Sequence, residues 1–156
     1  MTKIKARDSF EYPYPPEVIF PVLADITGYK KWWPKEFRVK ILHKERGYKN
    51  SKIEVWASGG WFRCETRRTI FPKRVDISYY QGVVVGDSWW EIEPLANERT
   101  RVSYEIDLEP NGLLMKLVVK VINISALHSF QFKRVLKKLH SYLAQMDSEP
   151  KMKKLI

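Results

Sequence analysis

The chain has one cysteine, no run long enough to cross a bilayer and too few acids to balance its bases. Cys64 stands alone among 156 residues, so no internal disulfide can form and nothing calls for an oxidising compartment. The N-terminus, MTKIKARDSF, lacks an apolar core of signal-peptide length, and the longest apolar run is too short for a membrane span. A soluble, cytoplasmic protein is the expectation. Three histidines, His43, His128 and His140, have no metal-ligand spacing, and there is no GxGxxG, no phosphate-binding loop and no serine-nucleophile elbow. Neither a metal nor another cofactor is therefore expected.

What is present points to one domain. At this length about two thirds of the surface exposed by the unfolded chain can be buried. The 28 Lys and Arg residues exceed the 18 acids by +10 and are scattered, which favours acidic surfaces: anionic lipid, nucleic acid or a charged protein. Six Trp, eight Tyr and seven Phe supply large apolar contact area, suited to a lined cavity or to an ordinary core.

Periodicity predicts one long helix from about Leu113 to Met146, after the turn residues Pro110, Asn111 and Gly112 and before Glu149-Pro150. Such a helix would be roughly 50 Å long and would have to bend, cross a sheet obliquely or overhang it. At 100° per residue, Leu114, Leu117, Val118, Val121, Phe132, Val135, Leu136, Leu139 and Leu143 share a core-facing stripe, with Ser125 and His128 inside it. Lys133, Arg134, Lys137 and Lys138 cover the back of the second half. The first half carries Met115, Val119, Ile122, Ala126 and Phe130 there, so a second surface, a ligand or a partner is expected to cover it.

Upstream, Lys3 to Tyr12 reads as a strand stopped by prolines. A short helix then starts near Glu17, with Pro21 placed close to its first turn. Asp25 is suited to cap a second short helix from Ile26 to Trp32, ended by Trp33-Pro34. From Phe37 to Leu108 the period changes to two. Six strands follow, punctuated by Gly47, Gly59-Gly60, Phe71-Pro72-Lys73, Gln81-Gly82 and Ala96-Asn97-Glu98. The expected fold class is α+β: a curved antiparallel sheet of about seven strands around a long C-terminal helix, with two short helices after the first strand. Residues 1–146 form the single domain, and 147–156 a frayed basic tail.

Several segments bear a family likeness. Pro16-Glu17-Val18-Ile19-Phe20, Leu23-Ala24-Asp25-Ile26, Tyr29 and Trp33-Pro34 resemble the opening of the START-like polyketide cyclase and coenzyme Q-binding proteins. Tyr80-Gln81-Gly82, Trp90-Glu91-Ile92-Glu93-Pro94, Thr100-Arg101-Val102 and Tyr104-Glu105-Ile106 extend the resemblance over nearly the whole chain, in order. It implies a helix-grip fold with an apolar cavity between sheet and helix for lipids, quinones, polyketides or other greasy molecules. Some members are cyclases or dehydratases, many carry a ligand, and some act on partner proteins. Pro21 departs from the usual first helix, and no fixed catalytic set maps onto these residues.

Strand parity selects candidates for the cavity wall. Phe62, Cys64, Thr66 and Arg68 share one side of a strand; Ile77, Tyr79, Trp90, Ile92, Val102, Tyr104 and Ile106 follow on the next three. With Trp33 at the opening and Leu117, Val121, Ser125 and His128 from the helix, they make an aromatic pocket with a few polar groups, unless they simply fill a core. Arg68 points inward if its strand alternates strictly, where it would need an anionic partner; a bulge near Arg67-Arg68 turns it to solvent. His128 and Arg68 are the catalytic candidates, His128 because an imidazole is readily tuned for proton transfer. Cys64 lacks an identifiable base and reads as a small buried hydrophobe. Trp56, Trp61 and Trp89 are expected on the outer face among Lys and Arg. No RNA-binding signature accompanies them, so they are read as packed under basic side-chain stems and not as a nucleic-acid surface. The primary reading is a carrier of a hydrophobic molecule, peripheral to an anionic membrane. Alternatives are a cyclase or dehydratase using the same cavity, and a protein-interaction module using the helix back.

Overall fold

The computed structural model describes residues 3–57 and 60–148. Seven strands form one antiparallel sheet: β1 (Ile4–Tyr12), β2 (Arg38–His43), β3 (Lys52–Ala57), β4 (Gly60–Ile70), β5 (Arg74–Gly82), β6 (Val84–Pro94) and β7 (Thr100–Pro110). Their order is β1-β7-β6-β5-β4-β3-β2, a meander from β2 to β7 closed by β1 in register Ile4↔Leu108 to Tyr12↔Thr100. Helix α1 (Pro16–Ala24) and a 3₁₀ helix (Ile26–Lys31) follow β1, and α2 (Leu113–Val121) and α3 (Ile124–Ser148) follow β7. This is the expected helix-grip architecture.

Local chemistry accounts for the short elements. Pro16 opens α1, while Pro21 lies inside it, where the ring removes one backbone bond; Asp25 N–H closes the helix on the Pro21 carbonyl at 3.2 Å. The Asp25 carboxylate accepts from Thr27 N–H at 3.2 Å and caps the 3₁₀ helix, as expected. Gly82 has φ +121, and a Cβ there would sit 2.3 Å from the Trp61 carbonyl oxygen, so only glycine fits this strand end. The Gly59-Gly60 turn signal falls partly on Gly59, outside the described residues. So does all of the tail beyond Ser148, although Asp147 and Ser148 belong to α3.

One period-two face of the sheet meets α3. Ile53, Val55, Val75, Ile77, Trp90, Val102, Tyr104 and Ile106 share one buried core with Phe132, Val135, Leu136, Leu139 and Leu143 of α3, and the rings of Trp90 and Tyr104 pack on Phe132. Each such side chain contributes about 1.5–3 kcal/mol of transfer free energy. Two bonds fix the helix on β1: Tyr12 Oη–H donates to the Leu136 carbonyl at 2.8 Å, and Ser129 Oγ–H donates to Asp8 Oδ2 at 3.1 Å.

The single long helix is instead two, bent by 84°. Ile122 is extended, and Asn123 Oδ1 accepts from Ala126 N–H at 3.0 Å, capping α3. The valine-rich end of α2 has a low helix propensity to resist that cap. As a consequence α2 has no buried residue: Leu117 is 52% and Val121 87% exposed, so these two do not join the core stripe. No single described helix is long and apolar enough to cross a membrane.

Candidate ligand-binding site

Between α2, the start of α3 and one end of the sheet lies a cavity of about 450 Å³. The strands supply Phe62, Tyr79, Ile106 and Leu108; the segment after the 3₁₀ helix supplies Trp33 and Phe37. Met115 and Val118 of α2 close one side, and Leu127, His128, Gln131 and Phe132 of α3 another. The turn before α2 fixes that lid. Asn111 N–H donates to the Val83 carbonyl at 2.9 Å and its side-chain amide to the Gly82 carbonyl at 2.8 Å, tying α2 to the β5–β6 turn.

Among the described residues, none that lines the cavity is an acid, a lysine or an arginine. The polar atoms are few and mostly committed. Tyr79 Oη lies 3.0 Å from Tyr104 Oη, and Trp90 Nε1–H donates to Tyr29 Oη at 2.9 Å, whose own hydroxyl donates to the Leu23 carbonyl. Burial pushes the phenol pKa values of Tyr29, Tyr79 and Tyr104 upward, so all three stay neutral. Two buried atoms differ: among the described residues, neither Trp33 Nε1 nor His128 Nδ1 meets a hydrogen-bond partner. Both rings lean on Phe132, His128 stacked at 5.0 Å and Trp33 edge-on at 6.4 Å between centroids. Burial lowers the His128 pKa to about 4, which leaves a neutral imidazole at ordinary pH.

The expected wall residues divide into three groups. Trp33, Phe62, Tyr79 and His128 line the cavity, while Cys64, Trp90 and Tyr104 are buried outside its immediate lining. Burial raises the Cys64 thiol pKa, so the unreactive thiol form is favoured. The third group is placed elsewhere. Arg68 faces solvent because β4 bulges at Arg67: Thr66 pairs Ile77, but Arg68 pairs Asp76, which reverses its parity. Its Nε–H donates to Asp76 Oδ2 at 2.9 Å on the outer face. Leu117 turns outward with α2, and Val121 and Ser125 border a separate shallow groove beside Lys3 and Lys120.

Parity and periodicity overlooked Phe37, Met115 and Gln131 as lining residues. The period-two pattern groups Phe37 with the strand that follows, but Phe37 closes the Pro34 turn, its N–H donating to the Pro34 carbonyl at 3.0 Å. On the outer face the tryptophans sit as expected. Arg63 stacks over Trp61 and Arg74 over Trp89, with Trp56 bonded to Glu54 and Trp89 to Glu91. Acids interleave with those bases: Glu54 pairs with Arg63, and Asp76 and Glu91 with Arg74.

The family model described as polyketide cyclase / dehydrase and lipid transport matches residues 12–131. The chain belongs to this family. No curated protein matches it in sequence. Solved structures agree on the fold. A Thermus thermophilus protein superposes with a TM-score of 0.76 at 18% identity, over 92% of this chain and 99% of its own. Zhui, a Streptomyces aromatase/cyclase, gives 0.74 at 13% identity over 96% and 98%; a Mycobacterium smegmatis START superfamily protein gives 0.70 at 16% over 91% and 98%. With the cavity, family membership makes this polyketide cyclase / dehydrase relative a helix-grip ligand-binding protein.

Proposed function

We propose that the protein carries an uncharged apolar molecule, of lipid, isoprenoid-quinone or polyketide type, with a carbonyl or hydroxyl as its polar end. The observation that carries this reading is a wall that, among the described residues, has no charged side chain and holds two buried polar atoms without a hydrogen-bond partner, Trp33 Nε1 and His128 Nδ1. A carboxylate or phosphate sealed in such a wall would lack a counter-charge, which is costly; a neutral oxygen needs only a donor such as the indole N–H. At about 450 Å³ the space lies within the usual ~300–1,000 Å³ of small-molecule sites. Carriage is favoured over turnover because an imidazole with a pKa near 4 is a weak base at neutral pH, and the neighbouring phenols hold their protons.

Nile red, neutral and carrying a carbonyl, is a suitable probe. Its fluorescence should rise saturably at near one-to-one stoichiometry, and a long-chain quinone or ketone should displace it where oleate at neutral pH does not. Displacement by oleate as effective as by the ketone would overturn the uncharged-ligand reading. A protein that takes up no dye would overturn the cavity as a binding site.

A further inference from the structure

The lid of the cavity has a second apolar side that the protein itself leaves uncovered. Leu113, Leu117 and Val121 are all more than half exposed and, at 100° per residue, share one arc of α2, while Leu114 at its edge also lines the cavity. Lys116 and Lys120, one turn apart, border that arc, and α2 has no acid. Ala57 and Gly60, the last described pair of the β3–β4 hairpin, also line the cavity. The next pair back is Trp56 against Trp61, with Trp56 exposed. The charge pattern is equally one-sided. From Pro110 through Met146 there is no Asp or Glu, whereas Lys116, Lys120, Lys133, Arg134, Lys137 and Lys138 all fall there.

We propose that α2 docks on an anionic lipid bilayer. It lies in the interface with Leu113, Leu117 and Val121 in the acyl boundary, Lys116 and Lys120 at the phosphates and the tryptophan pair of the hairpin beside them. An apolar arc bordered by cations, with no polar side chain inside it asking for a specific partner, matches this amphipathic medium. A second copy of the chain matches it poorly, since two α2 faces would bring four lysines together. Met115 and Val118 of the same short helix line the cavity, so docking sets the lid against the membrane. The proposal rests on the carrier reading only for its purpose, transfer of the ligand between bilayer and cavity.

Flotation with vesicles tests it. The protein should float with phosphatidylcholine vesicles containing phosphatidylglycerol, and far less with phosphatidylcholine alone. Leu117→Asp with Val121→Asp should cut the bound fraction roughly tenfold or more. Lys116→Gln and Lys120→Gln should each weaken binding roughly fivefold, an effect that added salt mimics. These side chains are exposed, so the variants should keep the thermal transition of the native protein, which circular dichroism checks. Native protein that floats with neither vesicle, or a double-aspartate variant that floats like native, would overturn the proposal. So would a dimer in sedimentation velocity that the double-aspartate change dissolves while vesicles bind nothing. Nile red uptake from water separates the two readings: a native protein that floats but takes up no dye retains the docking surface and loses the carrier role.

Discussion

At the scale of single residues, the neutral imidazole of His128 has the most direct consequence. Its folded-state pKa near 4 lies below the ordinary 6.5, so between these values the unfolded chain binds the extra proton. Stability on this account is fully present above pH 6.5 and is lost as the pH falls towards 4. The complete loss corresponds to ~3 kcal/mol, reduced by the partial exposure of the ring. His128→Gln should flatten the slope; urea midpoints that fall equally in both proteins between neutral pH and pH ~5 would contradict it. Trp33 bears on affinity instead. Trp33→Phe keeps an aromatic ring and removes the indole N–H, so a ketone ligand should bind about fivefold more weakly, worth ~1 kcal/mol, by competition against Nile red. Unchanged affinity would show that the indole N–H does not meet the ligand. Arg68 shows where residue-level reading reaches its limit. Period-two parity places it inward, but one extra residue at Arg67 reverses every side chain beyond it, and a bulge leaves no compositional mark in so charged a stretch.

Among the elements, the strands were legible because each alternates one apolar face with charged residues, and their ends carry proline or glycine. The 3₁₀ helix was legible from its Asp25 cap. The C-terminal helix was only half legible. Phe132, Val135, Leu136, Leu139 and Leu143 pack as their spacing requires, yet the same stripe extended to Leu117 and Val121 leads off the core. An apolar periodicity continues through Ile122-Asn123 without interruption, whereas the backbone turns by 84° there. Asn123 holds that turn through a single cap, so Asn123→Ala should lower stability by ~1 kcal/mol. Asn123→Asp, which keeps the acceptor, should retain it. Thermal melts of the two variants provide the comparison, and equal losses would place the cause elsewhere than in the cap.

For the whole molecule, the cavity depends on two helices meeting at an angle over a curved sheet. Val118, on the cavity side of α2, and Leu117, on its outer side, are neighbours with opposite consequences. Val118→Trp should abolish Nile red uptake while leaving the thermal transition within a few degrees; Leu117→Trp should leave uptake intact. Dye binding lost in both or in neither would mean that the site is not where this wall encloses it. Residue pattern along the chain was enough for the fold class, the succession of strands and the core face of α3. These follow from periods of 2 and 3.6 and from turn chemistry, which act over neighbouring residues. Contacts across the fold, not local pattern, turn Arg68 to water, carry α2 off the core and set Trp33 and His128 each against Phe132. Such outcomes depend on bulges, bends and contacts between residues far apart in the chain, which no local period encodes.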